Sequence, residues 1–411
     1  MPTTRSQRAL DWLTFFAADV QTGFGPFIAV YLTARSWTEA EIGFALSVGT
    51  FAAMLSQLPA GALVDATPHK RVAALAALIA IACSALLLAL WPSYWPVLAS
   101  EVLHGFASCV LVPALAAISL AMVGRKDLSR RLGRNGRYAS LGNAAAAALL
   151  GLTGAYVSGA AVFWLTAALT VPAAICLLAI RQDDLRERVR KTHGAGSGEG
   201  GLRKLLAQPG ILVFAACCCL FTLSNAAMLP LASAGMAHAA GERANLTVAA
   251  GLIVSQCVVA AISPWIGTLA DTRGRRFLLL AGLAVLPVRG MILAMVGGQT
   301  ALLAAQALDG LTAGVFGVLI PLVAADLTRG TNRFNLCMGL FGLAVNIGAT
   351  VSTTAAGAIA ATLGYWTAFA ALAAVGLATL LLALFLMPET RQAPDGQKGP
   401  SSQEKGQPAP T

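Results

Sequence analysis

The chain of 411 residues is 57% hydrophobic and 11% charged, with a mean hydropathy of +0.73 and a formal net charge of +10. A soluble domain carries about a quarter charged residues, so this balance excludes a water-soluble globular protein and points to an integral membrane protein. The surplus of positive charge lies in short loops between apolar runs, which sets aside a nucleic-acid partner.

A bilayer-spanning helix needs about 20 mostly apolar residues. The first such segment, 9–33, follows Arg5 and Arg8. It is too long for a signal-peptide core and lacks a cleavage site, so it reads as a retained span. Segments 40–65, 71–91, 95–123, 135–157 and 160–180 complete a first set of six. Residues 181–208 are charged and then Gly/Ser-rich, as expected of a linker with one surface helix. A second set of six covers 209–237, 246–271, 276–296, 300–327, 334–358 and 364–387. The tail, 388–411, is rich in Pro, Gly, Gln and Lys and is expected to be disordered. The expected fold is all-α, with twelve transmembrane helices in two halves, 1–180 and 209–387.

Lys and Arg in short loops set orientation. Even-numbered loops hold Lys70 and Arg71, a cluster from Arg125 to Arg137, the linker cations, Arg273, Arg275, Arg276, Arg329 and Arg333. Odd-numbered loops hold Arg35 and Arg243. Both termini are therefore expected on the cytoplasmic side of a bacterial-type inner membrane. The eight cysteines all fall in apolar segments, none in CxxC spacing, and read as small hydrophobes. No His/Cys/carboxylate cluster has metal spacing, no GxxxxGK[ST] loop cradles a nucleotide, and no nucleophile triad can be traced. The sequence predicts neither an enzyme nor a cofactor site.

The two sets of six repeat each other. Gly61, Leu63 and Asp65 of GALVDATPHKR match Gly267, Leu269 and Asp271 of GTLADTRGRRF at an offset of about 206. His104-Gly105 likewise meets Asp309-Gly310. Two parallel repeats related by an axis along the membrane normal follow. Twelve helices in two sixes, with G-x-L-x-D-x-x-G-R-R between the second and third helices of a half, resemble the major facilitator superfamily. Gly267, Asp271, Gly274, Arg275 and Arg276 carry that signature; the first copy keeps Gly61, Asp65 and Arg71 but has Pro68 at the second glycine. The resemblance implies a cytoplasmic latch between the halves in one state of alternating access, with the second copy as the stronger expectation. Small Gly61 and Gly267 allow close helix approach, and a carboxylate there can hold a helix N-terminus or an arginine.

Ionisable side chains at membrane depth are costly and mark functional positions. Asp19 lies near mid-membrane in the first span and is the leading candidate for a proton or cation site. Glu101 and His104 share a face of the fourth span, and Asp309 occupies the tenth. The resemblance implies that spans one, four, seven and ten line a central cavity, which gathers these residues with Asn225 of the seventh. Arg289 of the ninth span lies at about the depth of Asp309. Either the two form a structural ion pair, or Asp309 titrates; His104 and Asp309 could also pair across the halves. Phe15, Phe24, Phe106 and Phe316 give the cavity helices an aromatic, weakly charged character.

These residues lead to a secondary transporter of a small solute, coupled to protons or another cation, working as a monomer in the lipid bilayer. Efflux of an amphiphilic compound is the favoured direction. Alternatives are proton-coupled uptake of an organic solute, a non-transporting sensor, or a lipid-handling member of the same fold.

Overall fold

The computed structural model describes residues 3–22, 26–182, 184–185, 205–232, 242–296, 298–331 and 333–391. Apolar segments in lipid must satisfy their own backbone groups, and the described chain does so with helices throughout. The first half holds α1 (Thr4–Thr22), α2 (Pro26–Thr33), α3 (Glu39–Ala66), α4 (Lys70–Leu90), α5 (Tyr94–Val123), α6 (Leu128–Tyr156) and α7 (Gly159–Ala179). The second holds α8 (Pro209–Asn225), α9 (Glu242–Arg273), α10 (Arg275–Met295), α11 (Gly298–Leu327), α12 (Phe334–Leu363) and α13 (Tyr365–Leu386). Among the described residues, ten helices are long and apolar enough to cross a membrane.

Two of the twelve expected spans depart from that pattern. The segment expected over 9–33 consists of α1 and α2, on either side of residues 23–25, which lie outside the described set. The span expected from 135 begins at Leu128, so Arg130, Arg131 and Arg134 are helical rather than loop residues. Their charges are tolerated there because a buried anion, Asp11, meets two of them. The surface helix expected in the linker falls within residues outside the described set.

Local signals set the helix ends. Thr38 opens α3 with a capping box: its hydroxyl accepts from the Glu41 amide at 3.3 Å, while the Glu41 carboxylate accepts from the Thr38 amide at 2.9 Å. Ser158 accepts from the Ala161 amide at 3.1 Å to open α7. Asp184 accepts from the hydroxyls of Ser6 at 2.6 Å and Thr3 at 2.9 Å, tying the start of the linker to the start of α1. The Ser6 hydroxyl bond holds its carboxyl below the usual carboxylate range.

The halves meet along two seams, α3 against α12 and α6 against α9, with further inter-half contact of α6 with α11 and α5 with α12. Within the halves α3 packs on α5 and α9 on α11, α1 packs on α6, and α8 packs on α12. The eight cysteines are free, and Cys217, Cys218 and Cys337 are buried in the apolar core.

Candidate functional site

The two copies of the repeat lie at one end of the bundle, the end rich in basic residues, and each reaches into the opposite half. The Asp65 carboxylate accepts from the Asn335 amide at 3.0 Å, the Asn335 side chain at 2.7 Å and the Leu336 amide at 2.8 Å. It thereby holds N–H groups in the first turn of α12 that have no partner within the helix, where a negative charge is favoured by the helix dipole. Asp271 faces the first turn of α6 at the repeat-related place, held by side chains rather than backbone amides. It accepts from the Ser129 hydroxyl and has Arg275 at 3.6 Å and Arg130 at 4.0 Å. Gly61 and Gly267 are needed at these crossings: a Cβ on Gly61 would meet the Asn335 carbonyl, and one on Gly267 the Ser129 carbonyl. Gly339 against Gln57 and Gly133 against Ser263 extend both contacts by a turn. The first copy, expected to be the weaker, has the fuller set of hydrogen bonds.

The remaining signature residues fix each loop to its own half. Lys70 caps the end of α3 through the carbonyls of Val64 at 2.5 Å, Thr67 at 2.9 Å and Asp65 at 3.2 Å. Arg71 donates to the Leu178 carbonyl at 3.0 Å, and Arg276 donates to the repeat-related Leu384 carbonyl at 2.6 Å. Arg275 bridges Asp326 at 3.0 Å and the Ala270 carbonyl at 2.7 Å. Gly274 turns the chain with φ of 93°, a region that favours glycine. Glu389 then accepts from the Arg275 amide at 3.0 Å and the Arg276 amide at 3.1 Å, capping α10. Pro388–Arg391, assigned by composition to the tail, are therefore attached to this loop; 392–411 lie outside the described residues.

A second ionic cluster went unseen in the sequence. Asp11 on α1, 1% exposed, accepts from Arg131 at 2.7 Å and from Arg134 at 2.9 and 2.5 Å. Arg131 continues to Asn135 at 2.7 Å, and Asn135 donates to Ser119 of α5 at 2.8 Å. One buried carboxylate thus ties α1, α5 and α6 together. An aspartate near the start of an apolar run gives no hint of its partner, and the run of arginines reads as a topology signal.

In the second half Arg289 and Asp309 do meet. Arg289, 2% exposed, donates to the Asp309 carboxylate at 2.8 Å, to Gln306 at 2.8 Å and to the Asn225 side-chain oxygen. Asn225 donates to Asp309 at 3.1 Å and Ser255 donates to its other oxygen at 3.0 Å. Four helices, α8 to α11, therefore converge on one carboxylate. His104 is not among its partners; its Nε2 lies 3.3 Å from the Ser108 hydroxyl one turn away. Glu101, 7% exposed, turns towards α3, where Gly49 leaves room for its carboxyl. Its Oε1 has no hydrogen-bond partner among the described residues. Asp19 belongs to α1, and its side chain lies outside what the structure describes. Phe316 is core rather than cavity wall, stacked on Phe221 at 3.8 Å, while Phe106 is exposed and Phe24 lies outside the described residues.

Apolar helices of spanning length, joined across two seams by repeat-related carboxylates, define a multi-pass membrane protein of the transporter class. The chain belongs to the major facilitator superfamily: that family's model matches residues 10–297 and 244–409. It is 36% identical over 392 residues, 94% of each chain, to uncharacterised MFS-type transporters of Mycobacterium tuberculosis strains CDC 1551 and H37Rv. It is 33% identical over 128 residues to an MFS-type efflux transporter of Aspergillus flavipes, covering 31% of this chain and 22% of that one. Its fold is similar to that of the human organic anion transporter MFSD10 (TETRAN), with a TM-score of 0.69 at 14% identity over 92% of this chain and 99% of that one.

Proposed function

We propose that the protein is a secondary active transporter that moves a small amphiphilic solute outward by alternating access of two six-helix halves, driven by a proton gradient. In this reading twelve spans cross a bacterial-type inner membrane, both termini are cytoplasmic, and the basic end faces the cytoplasm. The observation that carries it is the paired clamp: Asp65 on the α12 N-terminus and Asp271 on the α6 N-terminus, each crossing between halves at the same end. Clamps confined to one end suit a rocking motion, since they can release while the opposite end closes.

The charged residues divide by their surroundings. Asp309 is held by Arg289, Asn225 and Ser255, an arrangement suited to a static tie among α8 to α11. Glu101 has no ion-pair partner among the described residues and can exchange a proton without breaking a salt bridge. In this reading proton coupling falls to Glu101 by its surroundings and to Asp19 by its sequence position near the middle of the first span. Efflux draws support from the weakly charged character of the helices involved and from the efflux activity for which the fungal relative is named.

The test uses purified protein in vesicles with a pH-sensitive dye in the lumen and an imposed pH gradient. Adding ethidium or an alkylammonium solute should produce coupled proton movement in the native protein. Glu101→Gln or Asp19→Asn should reduce that movement at least tenfold while thermal stability stays within a few degrees. Solute movement that ignores the gradient, or proton movement unchanged in both variants, would remove the proton-coupled reading.

A further inference from the structure

The seam between α3 and α12 changes character along its length. At the basic end Gly61 and Gly339 bring the backbones together and Asp65 grips α12. Further along, the same helices part around a cavity of about 680 Å³. Phe44, Ser47, Phe51 and Met54 of α3 face Thr350 and Thr353 of α12 across it. These positions recur at three- and four-residue intervals, so each set forms one stripe on its helix. The volume falls within the range of about 300–1,000 Å³ that takes a drug-sized molecule.

The other seam is closed at the same level. Thr50 and Ala349, which also line the cavity, have Gln256 and Asn143 as repeat-mates at the offset of about 206. Those two amides bond across the α6–α9 seam at 3.4 Å. One seam carries side chains that bridge the halves; its mate carries small ones that leave a space. The difference between the two seams at this level is thus one of side chains as well as of spacing.

Its chemistry is one-sided. Ser47 donates to the Gly43 carbonyl at 2.7 Å, Thr50 to Leu46 at 3.0 Å, Thr350 to Asn346 at 2.9 Å and Thr353 to Ala349 at 3.2 Å. Each of these hydroxyls donates to a carbonyl of its own helix, so the lone pairs of its oxygen are what it offers the cavity without breaking a bond. The rest of the wall is aliphatic, aromatic and thioether, and among the described residues no charged side chain lines it. Beside it Phe44 stacks on Tyr94 at 6.4 Å, and Tyr94 on Trp37 at 5.9 Å, an aromatic group of the kind that sits at a membrane–water boundary.

We propose that this cavity binds a bilayer-dissolved amphiphile with an apolar body and a hydrogen-bond-donating head, an alcohol or an alkylammonium, reached through the membrane face of the α3–α12 seam. A carboxylate head, which can only accept, would have to draw one of these hydroxyl protons out of its bond within the helix. The proposal deepens the transport reading and rests on it solely for the onward movement of the occupant; binding itself is independent of transport.

The test is photolabelling of the full-length protein in phosphatidylcholine vesicles with a long-chain alcohol carrying a mid-chain diazirine, followed by mass-spectrometric mapping. Adducts should concentrate in 44–54 and 349–353. Dodecanol and dodecylammonium should compete at least tenfold better than dodecanoate. Met54→Trp, which fills the space, should cut the adducts at least tenfold. Should that variant fail to fold, the near-isosteric double variant Thr350→Val/Thr353→Val serves, and it should narrow the head-group preference at least threefold, with Ser47 and Thr50 left as acceptors. Adducts spread evenly over lipid-facing helices, or equal competition by all three amphiphiles, would overturn the proposal. Mapped labelling in a protein that moves no solute leaves the site standing and removes the transport reading; diffuse labelling with active transport does the reverse.

Discussion

Asp65 makes three hydrogen bonds to the first turn of α12, two of them to backbone amides. A hydrogen bond to a charged group contributes about 1.5–3 kcal/mol net, so losing all three should cost at least about 2 kcal/mol. The loss falls on the state in which the basic end is closed, a shift of roughly thirtyfold in population. A reporter lies next to it: Cys337 on α12 is fully buried. In a protein stripped of its other cysteines, Asp65→Ala should raise maleimide labelling of Cys337 by tenfold or more. Unchanged labelling would mean that Asp65 caps a helix and does not gate. At this scale much could be read from the sequence. The spacing G-x-L-x-D placed both carboxylates, and depth counting put Arg289 level with Asp309. Asp11 could not be found that way, because its partners Arg131 and Arg134 lie over a hundred residues along the chain and resemble loop charges.

The helices themselves were the most legible feature, because an apolar run of spanning length has few alternatives in lipid. Their boundaries were less so where charge intrudes. At α6 the helix runs through Arg130, Arg131 and Arg134 because Asp11 and Asp271 supply partners that no local signal reveals. Helix approach offers a sharper test. Gly61 and Gly267 each sit against a backbone carbonyl of the facing helix, which cannot rotate away as a side chain could. At Gly43, on the same helix as Gly61, an added methyl group would meet nothing within 4 Å. Overpacking at a tight contact typically costs about 1–3 kcal/mol, whereas Gly to Ala in an open helical site is neutral or stabilising. Gly61→Ala and Gly267→Ala should therefore lower the melting temperature in detergent by several degrees, while Gly43→Ala leaves it level or raises it. Equal effects at all three positions would show that helix propensity, not interhelical approach, governs these glycines.

Across the whole molecule the repeat supplies near-symmetry, and the function proposed depends on where that symmetry breaks. The clamps match: Gly61 with Gly267, Asp65 with Asp271, and the α12 N-terminus with the α6 N-terminus. The seams above them do not, since Asn143 and Gln256 bridge one while their repeat-mates line a cavity in the other. That asymmetry depends on which side chains face each other across the gap, so no segment of the sequence shows it in isolation. If the halves rock so that the clamps release as the opposite end closes, the α6–α9 seam must shear at Asn143 and Gln256 during each cycle. A disulfide between Asn143→Cys and Gln256→Cys, in a background without the native cysteines, should stop solute movement in vesicles under oxidation. A reductant should restore it. Photolabelling at 44–54 should survive the crosslink, because the joined pair holds the arrangement in which the opposite seam is open. Transport that continues in the oxidised protein would mean that the halves do not move against each other at this seam. Labelling that vanishes on oxidation would instead mean that the cavity belongs to the state the crosslink forbids.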